Sequence, residues 1–347
     1  MQTTNNFLTP ERLAASVEHA ILNIACELRP DYLCALQASL ATERNERARH
    51  VLTQLLDNAA IAKKNRVPLC QDTGYVWVLL EVWGDMVVPA NIFSGINEAV
   101  AKAYSSAGLR KSLVRDALLD RTNTKDNTPA FCELSFVASP LETSNVNCQN
   151  QATDHGNGHR TGAANSGSGA CLHVMLKGGG SDNASCVHML APGAGIDGVR
   201  KVVVDAVLAK ARNACPPLVV GVGIGGSFDK VPGLAKRALL RNIVEKNSSP
   251  ESQMSEPKTS EPSAPALRAP EPKTSEPSAL KPKSSELAAL ELELLAKINA
   301  SNIGPGGFGG DTTALAVHIN TAPCHIAALP VAINIGCCAM RSVSINL

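Results

Sequence analysis

The residue types that could do chemistry in this 347-residue chain concentrate at Pro68-Leu69-Cys70-Gln71-Asp72-Thr73-Gly74. A thiol, an amide, a carboxylate and a hydroxyl stand in a row there, closed by a glycine. A thiolate at Cys70 is suited to hold a metal, and Gln71 and Asp72 to address a substrate lying on that metal. Such a site needs further ligands. Cys215 lies in Asn213-Ala214-Cys215-Pro216-Pro217, where a helical pattern gives way to a strand and two prolines stop the helix. Cys337 closes a strand pattern over 331–335. All three cysteines sit at element boundaries, where ligands converge without unpairing a strand ladder. Their wide separation excludes a zinc ribbon, which needs closely spaced pairs. It permits an iron–sulfur cluster, which tolerates scattered thiolates.

Three glycine-rich segments compete with this reading. Gly221-Val222-Gly223-Ile224-Gly225-Gly226 matches the dinucleotide pattern after a strand and before a helix. Its context fails, because Glu245 ends the helix itself where a ribose-binding acid would end a second strand. Residues 304–313 and 177–183 lack the Gly-Lys-Ser/Thr of a phosphate loop, and tight turns account for both.

The elements that must position these residues follow from periodicity. Thr9 caps a helix that starts with Pro10, and Leu13, Val17, Ala20 and Ile21 recur at helical spacing. Helices are expected over a stretch carrying Leu52, Leu55, Leu56 and Ala59 to Lys64, and over 91–104, 198–212, 230–245 and 287–299. Strands are expected over 75–82, 131–137, 172–176, 218–224, 314–320 and 331–335. The mixture predicts a layered α/β or α+β domain, and α+β, with mixed helices and sheet in layers, is the class expected.

Two stretches interrupt it. Residues 142–169 are polar and rich in Asn, Gly, Ser and Thr; Asp154, His155 and His159 there read as part of a flexible insertion before they read as metal ligands. Residues 246–285 are rich in Pro, Ser, Glu and Lys, and the string Glu-Pro-Lys-Thr-Ser-Glu-Pro-Ser-Ala at 256–264 recurs at 271–279. Both are expected as disordered insertions in one domain spanning 1–347.

Composition excludes several classes of partner. A formal net charge of +1 with 44% hydrophobic residues describes a soluble globular chain and argues against nucleic acid or an acidic membrane surface. Aromatics at 3% supply no stacking platform for bases. The start shows no signal peptide and the chain no long apolar span, so a cytoplasmic location is expected. The 11 cysteines are an odd number without a disulfide-type framework. Of these, Cys26, Cys34 and Cys132 fall in periodic apolar stretches and read as core.

Taken in order, residues 68–74 resemble the CQDTG segment of class I, iron–sulfur-dependent fumarate hydratases and L(+)-tartrate dehydratase α subunits. Gly108-Leu109-Arg110-Lys111-Ser112, Asp120-Arg121-Thr122-Asn123-Thr124, Asp126-Asn127-Thr128-Pro129-Ala130, residues 177–183, 215–226 and 304–313, and the ending from His325 to Cys337 fit the same family. The resemblance covers nearly the whole chain outside the two insertions. It implies a [4Fe-4S] cluster held by Cys70, Cys215 and Cys337, with Cys324 and Cys338 as lower-ranked neighbours. One iron would stay open as a Lewis acid. It places Gln71, Asp72, Arg110 and Gly179 around a bound dicarboxylate, although Arg110 taken alone reads as a surface ion pair. His325 would lie near the open iron as proton relay or orienting group, and Asp72 would share the catalytic work. The chain lacks the β domain of single-chain members, so the resemblance implies the α subunit of a hetero-oligomer whose β subunit completes the site. The expected activity is fumarate hydratase, with L(+)-tartrate dehydratase as the alternative. A non-catalytic iron–sulfur sensor is the rival of another class.

Overall fold

A computed structural model describes residues 7–138, 168–243 and 284–347 of the chain. Among them, eight α-helices and eight β-strands build a mixed α+β architecture of two four-stranded sheets. Helices α1 (Pro10–Ile24), α2 (Pro30–Thr42) and α3 (Glu46–Asn65) precede β1 (Tyr75–Trp83). Then come α4 (Ile96–Ser106), β2 (Phe131–Phe136), β3 (Gly169–Lys177), α5 (Gly179–Asn183) and β4 (Cys186–Leu190). The remainder is α6 (Gly195–Lys210), β5 (Leu218–Gly226), α7 (Val231–Ala238), α8 (Ser284–Asn299), β6 (Ala314–Cys324), β7 (Leu329–Gly336) and β8 (Arg341–Asn346).

The two sheets repeat one pattern. Sheet one has the order β2-β1-β3-β8, with β1 parallel to β2 and antiparallel to β3, and β3 antiparallel to β8. Sheet two has the order β6-β5-β7-β4 with the same sequence of directions. The parallel pairs require helical crossovers, supplied by α4 in the first sheet and by α7 and α8 in the second. The fourth strands are exchanged. The chain leaves β3 of sheet one to form β4 of sheet two, and leaves β7 of sheet two to form β8 of sheet one. Both exchanges are short, through residues 178–185 and 337–340.

Strand periodicity divides the core. Val76, Val78, Leu80 and Val82 of β1 face α1 and α4, while Trp77 and Leu79 point the other way into an inner core with Tyr32, Leu36, Val219 and Met340. The far face of sheet two packs Val220, Val222, Ile333 and Ile335 against Val203 and Val207 of α6 and Leu290 and Leu294 of α8. Helix α7 lies on β5 so closely that a Cβ on Gly221 would collide with the Ala235 carbonyl, and one on Gly223 with that of Val231. These glycines are packing residues within a strand, which explains why the dinucleotide pattern failed on context.

Several sequence expectations change. The helix expected over 91–104 begins only at Ile96, after Gly95 adopts φ +84°. That over 198–212 starts earlier, at Gly195, and gives way after Lys210 to a short 3-10 turn leading into Cys215. The helix expected over 230–245 stops at Ala238, because Arg29 captures the carbonyls of Leu239, Leu240 and Arg241 at 3.3, 3.3 and 2.9 Å. Cys26 is buried and Cys132 half-buried, but Cys34 is exposed. The buried positions of α2 are Tyr32 and Leu36, and Cys34, two residues from each, falls on the opposite face. Helix α2 and strands β4 and β8 were not anticipated. Of the two expected insertions, 142–167 and 246–283 lie outside the described residues, as do Asp154, His155, His159 and Glu245; Gly169 belongs to β3 and Ser284 and Ser285 to α8. Among the described residues, no helix is long and apolar enough to cross a membrane.

Gly221→Ala should cost about 1–3 kcal/mol through overpacking against α7. Gly233→Ala, whose new methyl meets open space inside the same helix, should be neutral or stabilising; urea denaturation of the two variants checks the difference.

Candidate functional site

Four chain connections meet where the sheets join: residues 70–74 before β1, 178–185 between β3 and β4, 215–217 before β5, and 337–340 between β7 and β8. Each expected cysteine rides on one of them. Irregular backbone held in place must have its polar groups satisfied, and here the partners are specific. The Leu69 N–H donates to the Ala25 carbonyl at 2.9 Å, and the Leu69 carbonyl accepts from Asn58 at 2.9 Å. The carbonyls that follow Cys70 are taken up in turn: Asp72 by Arg341 Nη2 at 2.7 Å, Thr73 by the Tyr104 hydroxyl at 3.1 Å, and Gly74 by Tyr104 and Asn127 at 3.0 and 3.1 Å. Burial pushes the Tyr104 phenol up to about 12, so it stays a donor. Thr73 Oγ1 donates to the Arg110 carbonyl at 2.5 Å, fixing the next loop to this one.

Cys215 adopts φ +55°, a left-handed conformation that costs an L-residue about 1–2 kcal/mol. It is held there by neighbours. Its carbonyl accepts from Cys338 N–H at 2.9 Å, and the Pro216 carbonyl accepts from Gly306 N–H at 2.8 Å. The glycine-rich run at 304–310 thus buttresses the Cys215 turn. The Cys337 carbonyl accepts from the buried Tyr32 hydroxyl at 2.8 Å. Strain stored at such a position is a mark of a functional site.

The thiols share one neighbourhood. Burial raises the Cys215 thiol, and Cys337, Cys70 and Asp72 raise it further. Burial likewise pushes Cys338 well up, assisted by Cys337, Cys215 and Cys70. Among the described residues, no three His, Cys, Asp or Glu side chains converge to hold a single metal ion. Each thiolate of a cluster binds a different iron, so cluster ligands stand farther apart than ligands of one ion. The nearby carboxylate of Asp72 is taken up by backbone N–H groups, and a donor set of thiols is the type that holds iron–sulfur clusters. Cys324 is exposed at the other end of sheet two, where its thiol donates to the Ala328 carbonyl at 3.2 Å.

Beside the thiols lies a cavity of about 370 Å³ lined by Gln71, Asp72, Gly74, Tyr75, Arg110, Ser112, Leu113, Lys177 and Gly179. All four residues expected around a dicarboxylate are on its wall. Asp72 spends both oxygens on backbone: Oδ1 accepts from Gly74 N–H at 3.0 Å and Oδ2 from Gly179 N–H at 2.8 Å. Its carboxylate thereby clamps the 70–74 loop to the glycine turn. Gln71 and Arg110, both exposed, make no side-chain hydrogen bond or ion pair among the described residues and are free for a ligand.

Periodicity concealed further members. Lys177 lines both this cavity and a small one that contains Cys337. Its ammonium is 3% exposed and donates to the Ile335 carbonyl at 2.7 Å and Ser181 Oγ at 3.1 Å, with Asp182 at 3.5 Å. Tyr75 donates to Asp182 at 3.2 Å and accepts from Lys236 at 3.0 Å. The only signal for Lys177 was its place immediately before the glycine triplet.

His325 is not brought to this site. It is exposed at the β6–β7 turn, where its Nδ1 accepts from Ala327 N–H at 3.1 Å. Cys337 follows the end of β7 beside the start of β5, whereas His325 precedes β7, beyond the far end of β5. The eight residues of β7 separate the two by about 25 Å at 3.3 Å per residue.

Burial lowers the Lys177 ammonium to about 8, against an ordinary 10.5. Between those values the unfolded chain binds more protons, so this residue's contribution to stability rises with pH. The stability of the parent chain relative to Lys177→Met should therefore increase as urea unfolding is moved from below pH 8 to about pH 10.

A family model described as fumarate hydratase (Fumerase) matches residues 14–346. The putative L(+)-tartrate dehydratase subunit alpha of Methanocaldococcus jannaschii is 32% identical over 321 residues, which are 91% of this chain and 91% of that relative. The L(+)-tartrate dehydratase subunit alpha of Escherichia coli K12 is 26% identical over 341 residues, 98% of this chain and 92% of the relative.

Proposed function

The chain belongs to the fumarate hydratase (Fumerase) family of hydro-lyases, and from that premise we propose that it is an α subunit interconverting fumarate and L-malate with a β subunit. The observation that carries the proposal is the meeting of three cysteine-bearing connections beside a cavity lined by Gln71, Asp72, Arg110 and Gly179. Cys70, Cys215 and Cys337 would hold a [4Fe-4S] cluster; choosing Cys337 over the adjacent Cys338 rests on the motif. Bound there, the cluster would supply an open iron as Lewis acid for the substrate hydroxyl, since hydroxide is a poor leaving group.

The chain's own residues would do the positioning. Arg110 pairs a substrate carboxylate in fork geometry. Gln71 offers an amide to the same ligand. Asp72 holds the glycine turn close, so that backbone near Gly179 forms the opposite wall. Lys177 adds positive charge behind that wall for a doubly negative substrate. The resemblance also gives His325 a proton-relay role, which its place at the far turn does not support within one chain. A single α-type domain over 1–347, interrupted at 142–169 and 246–285, and a reducing cytoplasmic setting suited to many free cysteines complete the proposal.

L(+)-tartrate dehydration is the second reading, favoured by the names of the two relatives above. Turnover of malate and tartrate by the complex reconstituted with its β subunit separates them: malate turnover is expected, and tartrate turnover without malate turnover would replace the first reading. Anaerobic reconstitution should give about four irons and four sulfides per chain. A Cys70→Ala, Cys215→Ala, Cys337→Ala triple variant should retain none, and retention would overturn the ligand assignment.

A further inference from the structure

Arg341 opens β8, four residues after Cys337, and is 2% exposed. A guanidinium cannot shed its charge by deprotonation. Its Nη2 donates to the Asp72 carbonyl, two residues after Cys70, and Nε and Nη1 are buried with no hydrogen-bond partner. Among the described residues no carboxylate forms an ion pair with it; the Asp72 carboxylate, which shares with Arg341 Nη2 the space beside Gly178, is taken up by the Gly74 and Gly179 N–H groups. Lys177, the other buried cation here, has Asp182 at 3.5 Å and two hydrogen bonds, and Arg237 and Arg241 each reach a glutamate. A permanent charge buried without a hydrogen-bonded counter-charge is unfavourable, and the unsatisfied Nε and Nη1 leave this surround suited to a further anion.

We propose that Arg341 is the counter-cation of the iron–sulfur centre held by Cys70, Cys215 and Cys337. The inference rests on the reading of those cysteines as cluster ligands. A dicationic cubane and three thiolates sum to a net anion, which supplies the charge that the protein alone does not. The same guanidinium is bonded to the Cys70 loop at Asp72 and joined through the backbone to Cys337, so it links two of the three ligand-bearing segments. Arg341 is thereby a positioning residue that also sets the electron affinity of the centre. A substrate carboxylate is the less suitable anion, because Arg341 does not line the open cavity.

The test compares the parent chain with Arg341→Met, Arg341→Gln and Arg341→Lys, each cluster-free and after anaerobic reconstitution. Iron and sulfide content of the parent chain comes first, and a parent that takes up no cluster sinks the cluster reading itself. With the parent loaded, the cluster-free Gln variant, whose amide can still donate to the Asp72 carbonyl, should melt at or above the parent, while the Met variant loses that hydrogen bond together with the unpaired charge. Their gain in melting temperature on loading should be smaller than the parent's. Their midpoint reduction potentials, followed by electron paramagnetic resonance, should shift lower, and Arg341→Lys should stay near the parent. Unchanged potentials and equal gains on loading would overturn the proposal. So would failure of the cluster-free Met and Gln variants to fold while Arg341→Lys folds, since the charge would then serve the empty fold.

Discussion

The structure depends on satisfying the backbone of one buried irregular segment. Residues 69–74 have neither helix nor ladder to absorb their carbonyls, and an unpaired buried carbonyl costs about 1–3 kcal/mol. Asn58, Arg341, Tyr104 and Asn127 each reach in from a different part of the chain to accept that duty. Gly74 takes φ +75° there, and a Cβ would come within 2.5 Å of the Lys177 carbonyl. The segment is therefore a meeting point of the sequence. Its shape is fixed by residues up to 269 positions away, and in return it fixes where Cys70 and Asp72 stand.

The exchange of fourth strands explains why so many distant residues can meet there. Each exchange must turn the chain from one sheet to the other in a few residues, and both do so at the same end. One crossing carries the glycine turn and the other carries Cys337. Lys177 at the end of β3 and Ser185 of the first crossing both hydrogen-bond Ile335, just before the second. The two crossings are locked to one another before any ligand is considered. A cavity formed between such locked connections has walls set by the fold, which is what pre-organised chemistry requires.

Much of this was legible in the residues and some was not. The α+β class, most strands and the boundary positions of Cys70, Cys215 and Cys337 follow from periodicity and from proline and glycine placement. So does the cap at Thr9, whose side chain accepts from Arg12 N–H at 3.2 Å. Helix α7 was overestimated because its end is decided by Arg29, which no local pattern registers. Strand β8 is short and reads Arg341-Ser342-Val343-Ser344-Ile345-Asn346, with buried polar residues at alternate positions, so its apolar signal is weak. Lys177 and Arg341 were missed for a related reason: a charged residue inside a strand pattern ordinarily points to water, and only the three-dimensional surround reveals it as internal. His325 lies apart from the cavity for a different reason. A motif places residues in order along the chain, whereas an extended strand between two motif positions carries them to opposite ends of a sheet.

The strand exchange also bears on how the chain can be assembled at all. Sheet one holds three of its strands by Lys177 but receives its fourth only at Arg341–Asn346. Until β8 is in place, β3 keeps a bare edge of unpaired backbone groups that a neighbouring strand could occupy. Sheet two, by contrast, acquires β4 early and must wait for the β7 that will bind it. Neither sheet is complete until both crossings have been made, so the fold is assembled through contacts of high sequence separation.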